Sequence, residues 1–368
     1  MSDKILFYKK MARNLFPVYR LKIIKVLPFI FLLFVNAQSC KSPTGPEALQ
    51  PGRRDYTWTV DTLNIPYTVL ESIWGSSPTD IWAVGPGGDK DKTIYHFDGT
   101  KWNNDGISRS LAPRCVFGFA QNNVWFGGYG NNIWHYDGNS LSDFQDYTIP
   151  NYPWAGIENI WGDNPNNVYA VGVADSSNVL RGIIRNFNGT TWQTVYISNK
   201  NEDFVKILRG NLSGNNYYIL SERNDDNNNT DSINIYQFNG KNLLEAFSSP
   251  AQIHLDIASI SSQIFLVSNN NIYALSGHEA VFSKNLEFVS KISTNNFWGG
   301  IWGRNKDDIF LGLYDGIAHY NGSNIAYLFH FNTYQVGIGG MVLFDKEIFI
   351  LCYDFTNQIN FIIRGKLN

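Results

Sequence analysis

Short apolar runs and polar turns alternate along the chain in a fixed order, and that order recurs. The first copy opens with Ile73-Trp74-Gly75, turns through the polar stretch 76–80 and continues as the apolar run Ile81-Trp82-Ala83-Val84-Gly85. A third run, Ile94-Tyr95-His96-Phe97, alternates and ends in Asp98-Gly99; a fourth begins at Trp102. The near-continuous hydrophobicity of the second run predicts a strand covered on both faces, and the period-two alternation of the third predicts a further strand. Asp, Asn, Ser and Pro in the turns bond locally or fix φ, so each unit reads as short strands joined by turns. Asp98-Gly99 after an alternating run is a hairpin signal and predicts a type I′ turn.

Alignment on Trp74 makes Phe117, Trp161, Arg209, Ile257, Trp302 and Met341 its equivalents, at intervals of 39 to 48 residues. That interval is the length of one four-stranded propeller blade. The second run returns as Val124-Trp125-Phe126-Gly127, Val168-Tyr169-Ala170-Val171-Gly172 and Ile309-Phe310-Leu311-Gly312. Asn-Gly or Asp-Gly closes the third run at 137–138, 188–189, 239–240 and 321–322, while the fifth copy lacks it. The seventh copy ends near Phe361-Ile362-Ile363-Arg364-Gly365 with no fourth strand, whereas residues 56–63 read as an orphan fourth strand in which Trp58 stands where Trp102 stands. Pairing the two ends removes free strand edges. The expectation is an all-β fold over residues 56–368: a seven-bladed β-propeller of four-stranded blades, closed by an N-terminal strand that completes the last blade. The repeat form IWG…DIWAVG…IxHYDGxxW resembles that of a loose group of bacterial envelope propellers. The resemblance covers essentially the whole mature chain and implies an architecture, with no particular activity.

The N-terminus changes the picture of where such a domain resides. Basic residues through Lys25 precede an apolar run of about ten residues, 26–35, which is too short for the roughly 20 that span a bilayer. Ala37-Gln38-Ser39-Cys40 resembles a bacterial lipobox, with Ala37 where Leu is usual. The resemblance implies a lipoprotein signal peptide over 1–39 (starting at Met1 or Met11), lipidation of Cys40 and a Pro/Gly-broken tether over 40–55. The implied location is the bacterial cell envelope, anchored to the outer membrane by an acyl chain; a soluble secreted protein cut near Ser39 is the alternative. Seven of the 29 basic residues and one of the 32 acidic ones lie in the first 39, leaving 22 against 31, a net charge of −9 for the remainder. An acidic body offers no counterion-displacing face, so nucleic acid is not an expected partner. Cys115 and Cys352 fall in strand patterns of copies two and seven and are read as buried free thiols rather than a disulfide.

Candidate chemistry is confined to the first strands, which line the channel of a propeller. Trp74, Phe117, Trp161 and Trp302 either face that channel, where they would stack on a sugar or clamp an aromatic group, or turn sideways to pack between blades. Three residues before each aligned position stand Glu71, Arg114, Glu158 and Lys206, alternating in sign: a polar funnel for a ligand, or a set of inter-blade ion pairs. His96, His135 and His319 share one position with Asn186 and Gln237 and read as a hydrogen-bonding device between blades rather than a ligand set. The stretch 225–231, DDNNNTD, resembles a calcium loop in composition only and lacks its Gly and terminal Glu. No phosphate loop, nucleophile elbow or clustered zinc ligands can be read, and neither a cofactor nor a metal is expected. The reading is a monomeric, non-catalytic binding or scaffold module for an envelope protein or polysaccharide. The alternative is a glycan hydrolase or lyase, with Glu71 and Glu158 as its first catalytic suspects.

Overall fold

The computed structural model describes residues 52–368 apart from 64, 66–67, 88, 147, 178, 211–215, 225–229, 251–254, 269–270, 277–280, 288–296 and 333–334. The expectations for the signal segment, for Cys40, for most of the tether and for most of the stretch 225–231 lie outside these residues.

Among the described residues there are 28 strands and no helix. The first strand, β1, is Tyr56–Leu63. A first quartet follows: β2 (Ser72–Ser77), β3 (Asp80–Val84), β4 (Ile94–Phe97) and β5 (Trp102–Asn103). The second is β6 (Ala112–Ala120), β7 (Asn123–Tyr129), β8 (Asn132–Tyr136) and β9 (Leu141–Asp146). The third is β10 (Trp154–Asn164), β11 (Asn167–Ser176), β12 (Val179–Phe187) and β13 (Trp192–Ile197). The fourth is β14 (Glu202–Arg209), β15 (Tyr217–Asn224), β16 (Thr230–Phe238) and β17 (Leu243–Pro250). The fifth is β18 (Leu255–Ile260), β19 (Gln263–Ser268), β20 (Asn271–Ser276) and β21 (Val281–Glu287). The sixth is β22 (Phe297–Asn305), β23 (Asp308–Leu313), β24 (Gly316–Tyr320) and β25 (Ile325–His330). Three strands end the chain: β26 (Val336–Leu343), β27 (Glu347–Asp354) and β28 (Ile359–Leu367).

Each quartet is an antiparallel meander, and a bridge between Gly156 and Tyr129 links the second and third into one eight-stranded sheet. The last sheet has the order β1-β28-β27-β26, with β1 and β28 in register over eight residue pairs from Tyr56↔Leu367 to Leu63↔Asn360. Trp58 pairs with Gly365 as Trp102 pairs with Phe97. First strands touch in series: β2 meets β6, β6 meets β10, β10 meets β14, β14 meets β18, β18 meets β22, β22 meets β26 and β26 meets β2.

The core lies in the seams between sheets rather than within any one of them. Trp82, Val84 and Ile94 of the first quartet pack with Val116, Val124 and Phe126 of the second. Leu63, Ile73 and Ile81 pack with Phe349, Leu351 and Ile362. This is why second strands such as Asp80–Val84 and Asp308–Leu313 are buried along their whole length. The recurrent glycines follow from the closeness of the seams. A Cβ on Gly118 would come within 2.6 Å of the Trp74 indole, and one on Gly162 within 2.7 Å of the Phe119 ring, each ring belonging to the preceding quartet.

Two local expectations are corrected. The Asp-Gly and Asn-Gly turns are four-residue loops, not two-residue type I′ turns. Phe97 still pairs with Trp102, the Asp98 carboxylate accepts the N–H groups of Thr100 and Lys101, and Gly99 alone has the left-handed φ of 92°. The side-chain bonds of Asp98 replace the second left-handed residue that a type I′ turn needs. The third-strand histidines bond a residue of their own quartet rather than serving chiefly between blades, and His319 also accepts from outside, its Nδ1 lying 3.2 Å from Arg54 Nε just ahead of β1. His96 Nε2 lies 2.6 Å from Asp80 Oδ1, His135 Nε2 3.0 Å from Asn123 Oδ1 and His319 Nε2 2.7 Å from Asp308 Oδ1. Arg364 takes the same place in the last sheet, donating to Glu347 at 2.8 Å. The histidine rings lie on the second-strand aromatics Trp82, Trp125 and Phe310, 4.2 to 4.6 Å between centroids. Each polar pair thus bolts the second strand to the third. Cys115 and Cys352 are free and buried, and burial pushes both thiols far above their ordinary range.

Because β1 covers the outer edge of β28 and buries Tyr56 and Leu63, each worth about 1.5–3 kcal/mol, deleting residues 56–63 is expected to lower the midpoint of urea unfolding sharply. A truncated protein that unfolds like the full one would contradict this role for β1.

Candidate functional site

Strand register, read against the second strands, shows which residues occupy equal levels on the first strands. Trp74 pairs with Trp82, Phe117 with Trp125, Trp161 with Tyr169 and Trp302 with Phe310. In the other three sheets the same level is held by Leu208, Ala258 and Val342, opposite Tyr218, Phe265 and Phe349. The alignment on Arg209, Ile257 and Met341 is therefore one residue out in each of those copies. The cause is physical: without an aromatic at this position, nothing in the local sequence marks the level.

These seven residues line a single cavity of about 740 Å³ bordered by β2, β6, β10, β14, β18, β22 and β26. Its aromatic members are half-buried because they serve the seams as well. Trp74 fills the notch at Gly118, Trp161 lies 6.0 Å from the Tyr217 ring, and Trp302 packs with the cluster of the last sheet. Both readings of these rings hold in part: each packs against neighbouring residues in the seams and borders the cavity.

Charged residues collect at the end where the first strands begin. Arg114 and Glu158 are each the extra residue of a β-bulge, which turns their side chains out of the ladder. Arg114 Nη1 lies 3.1 Å from Glu71 Oε2 and its Nε donates to Glu158 Oε2 at 2.5 Å, so one guanidinium ties three successive quartets. Burial opposes this charge, but Glu158 and Glu71 hold the Arg114 pKa above its ordinary value. Glu71 is pushed up by burial, against the pull of Arg114. Asp203 and Glu222 face each other across β14 and β15. Burial, with the neighbouring Glu222 and Glu158 carboxylates, pushes Asp203 up to about 6, and burial beside Glu158 raises Glu222. Tyr129, half-buried next to Glu158 and under Arg114 at 5.1 Å, is pushed up to about 12 by desolvation and by the Glu158 carboxylate.

Lys206 does not belong to this group. The bulge in β14 falls at Val205, so Lys206 stands one level further along, where Ser72, Asn159 and Asp256 stand in their own strands. It bonds to both carboxylate oxygens of Asp256, at 2.9 and 3.2 Å. This second level has a function that the sequence reading missed. Ser72 Oγ accepts the N–H of Val116, Asn159 Oδ1 that of Ile207 and Asp256 Oδ2 that of Ile301, at 3.1 to 3.2 Å, so each polar side chain holds the first strand of the next quartet. The signal that finds them is a polar residue two places before the aromatic level in an otherwise apolar strand. Ser72, Asn159, Lys206 and Asp256 all line the cavity; Glu71, Arg114 and Glu158 do not. Glu71 and Glu158, the catalytic suspects of the alternative reading, share one arginine rather than flanking an open space. Among the described residues, no cluster of three or more His, Cys, Asp or Glu side chains forms a metal site.

No protein-family model matches the sequence, and neither does any curated protein. Solved structures do resemble it. YCF48 bound to D1 peptide matches with a TM-score of 0.57 over 87% of this chain and 100% of its own, at 14% identity. A catalytically inactive virginiamycin B lyase from Staphylococcus aureus, solved with quinupristin, matches with 0.59 over 83% and 99%, also at 14% identity. The WD40 β-propeller domain of Doa1 matches with 0.53 over 85% and 96%, at 12% identity. At these identities the likeness is one of fold: the chain is of the β-propeller type.

The raised Asp203 pKa has a definite sign in stability. Between the ordinary carboxylate value and about 6, the folded chain binds more protons at this group than the unfolded chain, so the group's charging weakens the fold as pH rises through that window. Asp203→Asn is therefore expected to melt higher than the parent at pH 7.5, with the difference shrinking as pH falls to 4. A difference independent of pH would contradict the burial of this carboxylate.

Proposed function

We propose that the chain is a seven-bladed β-propeller held in the bacterial envelope by a lipid on Cys40, and that it binds a partner at its central channel without transforming it. The serial contact of first strands, β2 through β26 and back to β2, supports seven blades around one axis. The pairing of β1 with β28 supports closure of the last blade by the N-terminal strand. The lipid anchor rests on the basic, apolar and Ala37-Gln38-Ser39-Cys40 pattern of the N-terminus.

One observation carries the binding reading: a cavity of about 740 Å³ whose wall combines aromatic rings with polar side chains, the composition of a ligand site. Engagement of both Glu71 and Glu158 by Arg114 speaks against these two carboxylates acting as an acid–base pair. Among structures of the same fold, YCF48 is solved with a peptide, which accords with a polypeptide partner here.

Cys40→Ala is expected to abolish palmitate incorporation and to release the protein from the membrane fraction; unchanged labelling would overturn the anchor. The channel is tested by thermal shift of residues 41–368 against peptide and glycan panels. A ligand at about 100 times its dissociation constant adds roughly 2.7 kcal/mol, and the shift is expected to vanish in Ser259→Trp, where an indole fills the channel from an exposed wall position. A shift that survives this substitution would place binding elsewhere.

A further inference from the structure

The polar side chains of the channel wall hold neighbouring strands and still have hydrogen-bonding capacity to spare. Ser72 Oγ, Asn159 Oδ1 and both oxygens of Asp256 are spent as acceptors, three of them on backbone N–H groups of the next quartet and the Asp256 pair also on Lys206. Beyond these bonds the same side chains offer the cavity three donors: the Ser72 hydroxyl hydrogen, the Asn159 Nδ2 amide, which has no protein partner among the described residues, and the remaining ammonium hydrogen of Lys206. The Asn159 orientation is forced, since only its oxygen can accept the Ile207 N–H. Across the channel the side chains are apolar, among them Trp302, Ile338 and Val342. One residue back along the strands, about 3.3 Å, stands the level of Glu71 and Glu158. With Asp203 and Glu222 it gathers four carboxylates around the single guanidinium of Arg114.

We infer that the channel takes an extended polypeptide segment whose carbonyl oxygens meet the donors of Ser72, Asn159 and Lys206, whose apolar side chain lies on Trp302 and Ile338, and whose basic residue sits at the carboxylate level. This rests on the channel reading above and specifies its ligand. A backbone carbonyl is an acceptor that these three donors can meet, and the cation answers the crowded carboxylates. A neutral glycan is disfavoured because it carries no cation to meet these carboxylates.

The test uses the full chain in detergent on an array of random octapeptides, with a glycan array alongside. Captured peptides are expected to be enriched in Lys or Arg next to apolar residues, and Ser259→Trp is expected to abolish capture. Asn159→Asp keeps the oxygen that holds Ile207 but replaces donors with an acceptor, so it is expected to weaken capture about tenfold while the melting temperature stays put. A purely electrostatic attraction of cations would instead be strengthened by the added charge, and that result would overturn the inference. Glu222→Gln, which disturbs no ion pair among the described residues, is expected to weaken capture of basic peptides about threefold. Capture of acidic peptides, or of glycans alone, that Ser259→Trp abolishes would overturn the ligand class and leave the channel reading standing. Capture indifferent to Ser259→Trp, or none at all, would overturn both.

Discussion

The structure depends on how closely neighbouring first strands approach one another. No quartet buries both of its faces alone, so the core of this chain is a set of seams, and each seam must be narrow enough to exclude water. Two devices make it so. Glycines at the end of the Ile-Trp-Gly run leave room for a ring from the preceding quartet, as Gly118 does for Trp74. Polar side chains two places before the aromatic level hold the next strand by its backbone, as Asn159 holds Ile207 and Asp256 holds Ile301. Each is a buried or half-buried bond whose loss would leave a backbone donor unpaired, a cost of roughly 1–3 kcal/mol.

These devices also decide what the channel can do. A side chain that accepts a hydrogen bond from the neighbouring strand is held in place by it and has less of that atom to present to a ligand. Structural duty thus engages acceptor atoms of Ser72, Asn159 and Asp256 while their neighbouring donors stay available, and the bulges at Arg114 and Glu158 throw charge to one end. The same logic explains why Glu71 and Glu158 make a weak case as catalytic groups: the guanidinium between them is the clasp of three quartets. A ligand in the channel would meet what remains after the seams are satisfied.

The repeat made the strands legible, because a fully covered second strand and an alternating third one leave different periodicities. It also made Trp58 legible as the partner of the last sheet, since Trp58 meets Gly365 as Trp102 meets Phe97. Levels on the first strands were legible only where an aromatic marks them. Leu208, Ala258 and Val342 look like any apolar residue in an apolar run, and a single bulge at Val205 moved Lys206 from the charged level to the polar one. The partner of the third-strand histidine could not be read from its own strand, since Asp80, Asn123 and Asp308 lie a whole hairpin away and look like turn residues. Carboxylate crowding at Asp203 was invisible for the same reason, being a property of three strands from two quartets.

The central claim is that the two ends of the chain meet in one sheet and so hold the seven sets of first strands around a common channel. Hydrogen exchange of the β28 amides tests it most directly. The amides of Thr57, Thr59 and their partners on Lys366 and Arg364 are expected to exchange as slowly as those that join β27 to β28, because both sides of β28 are covered. Rapid exchange along the β1 side of β28, with protection kept on the β27 side, would contradict the account.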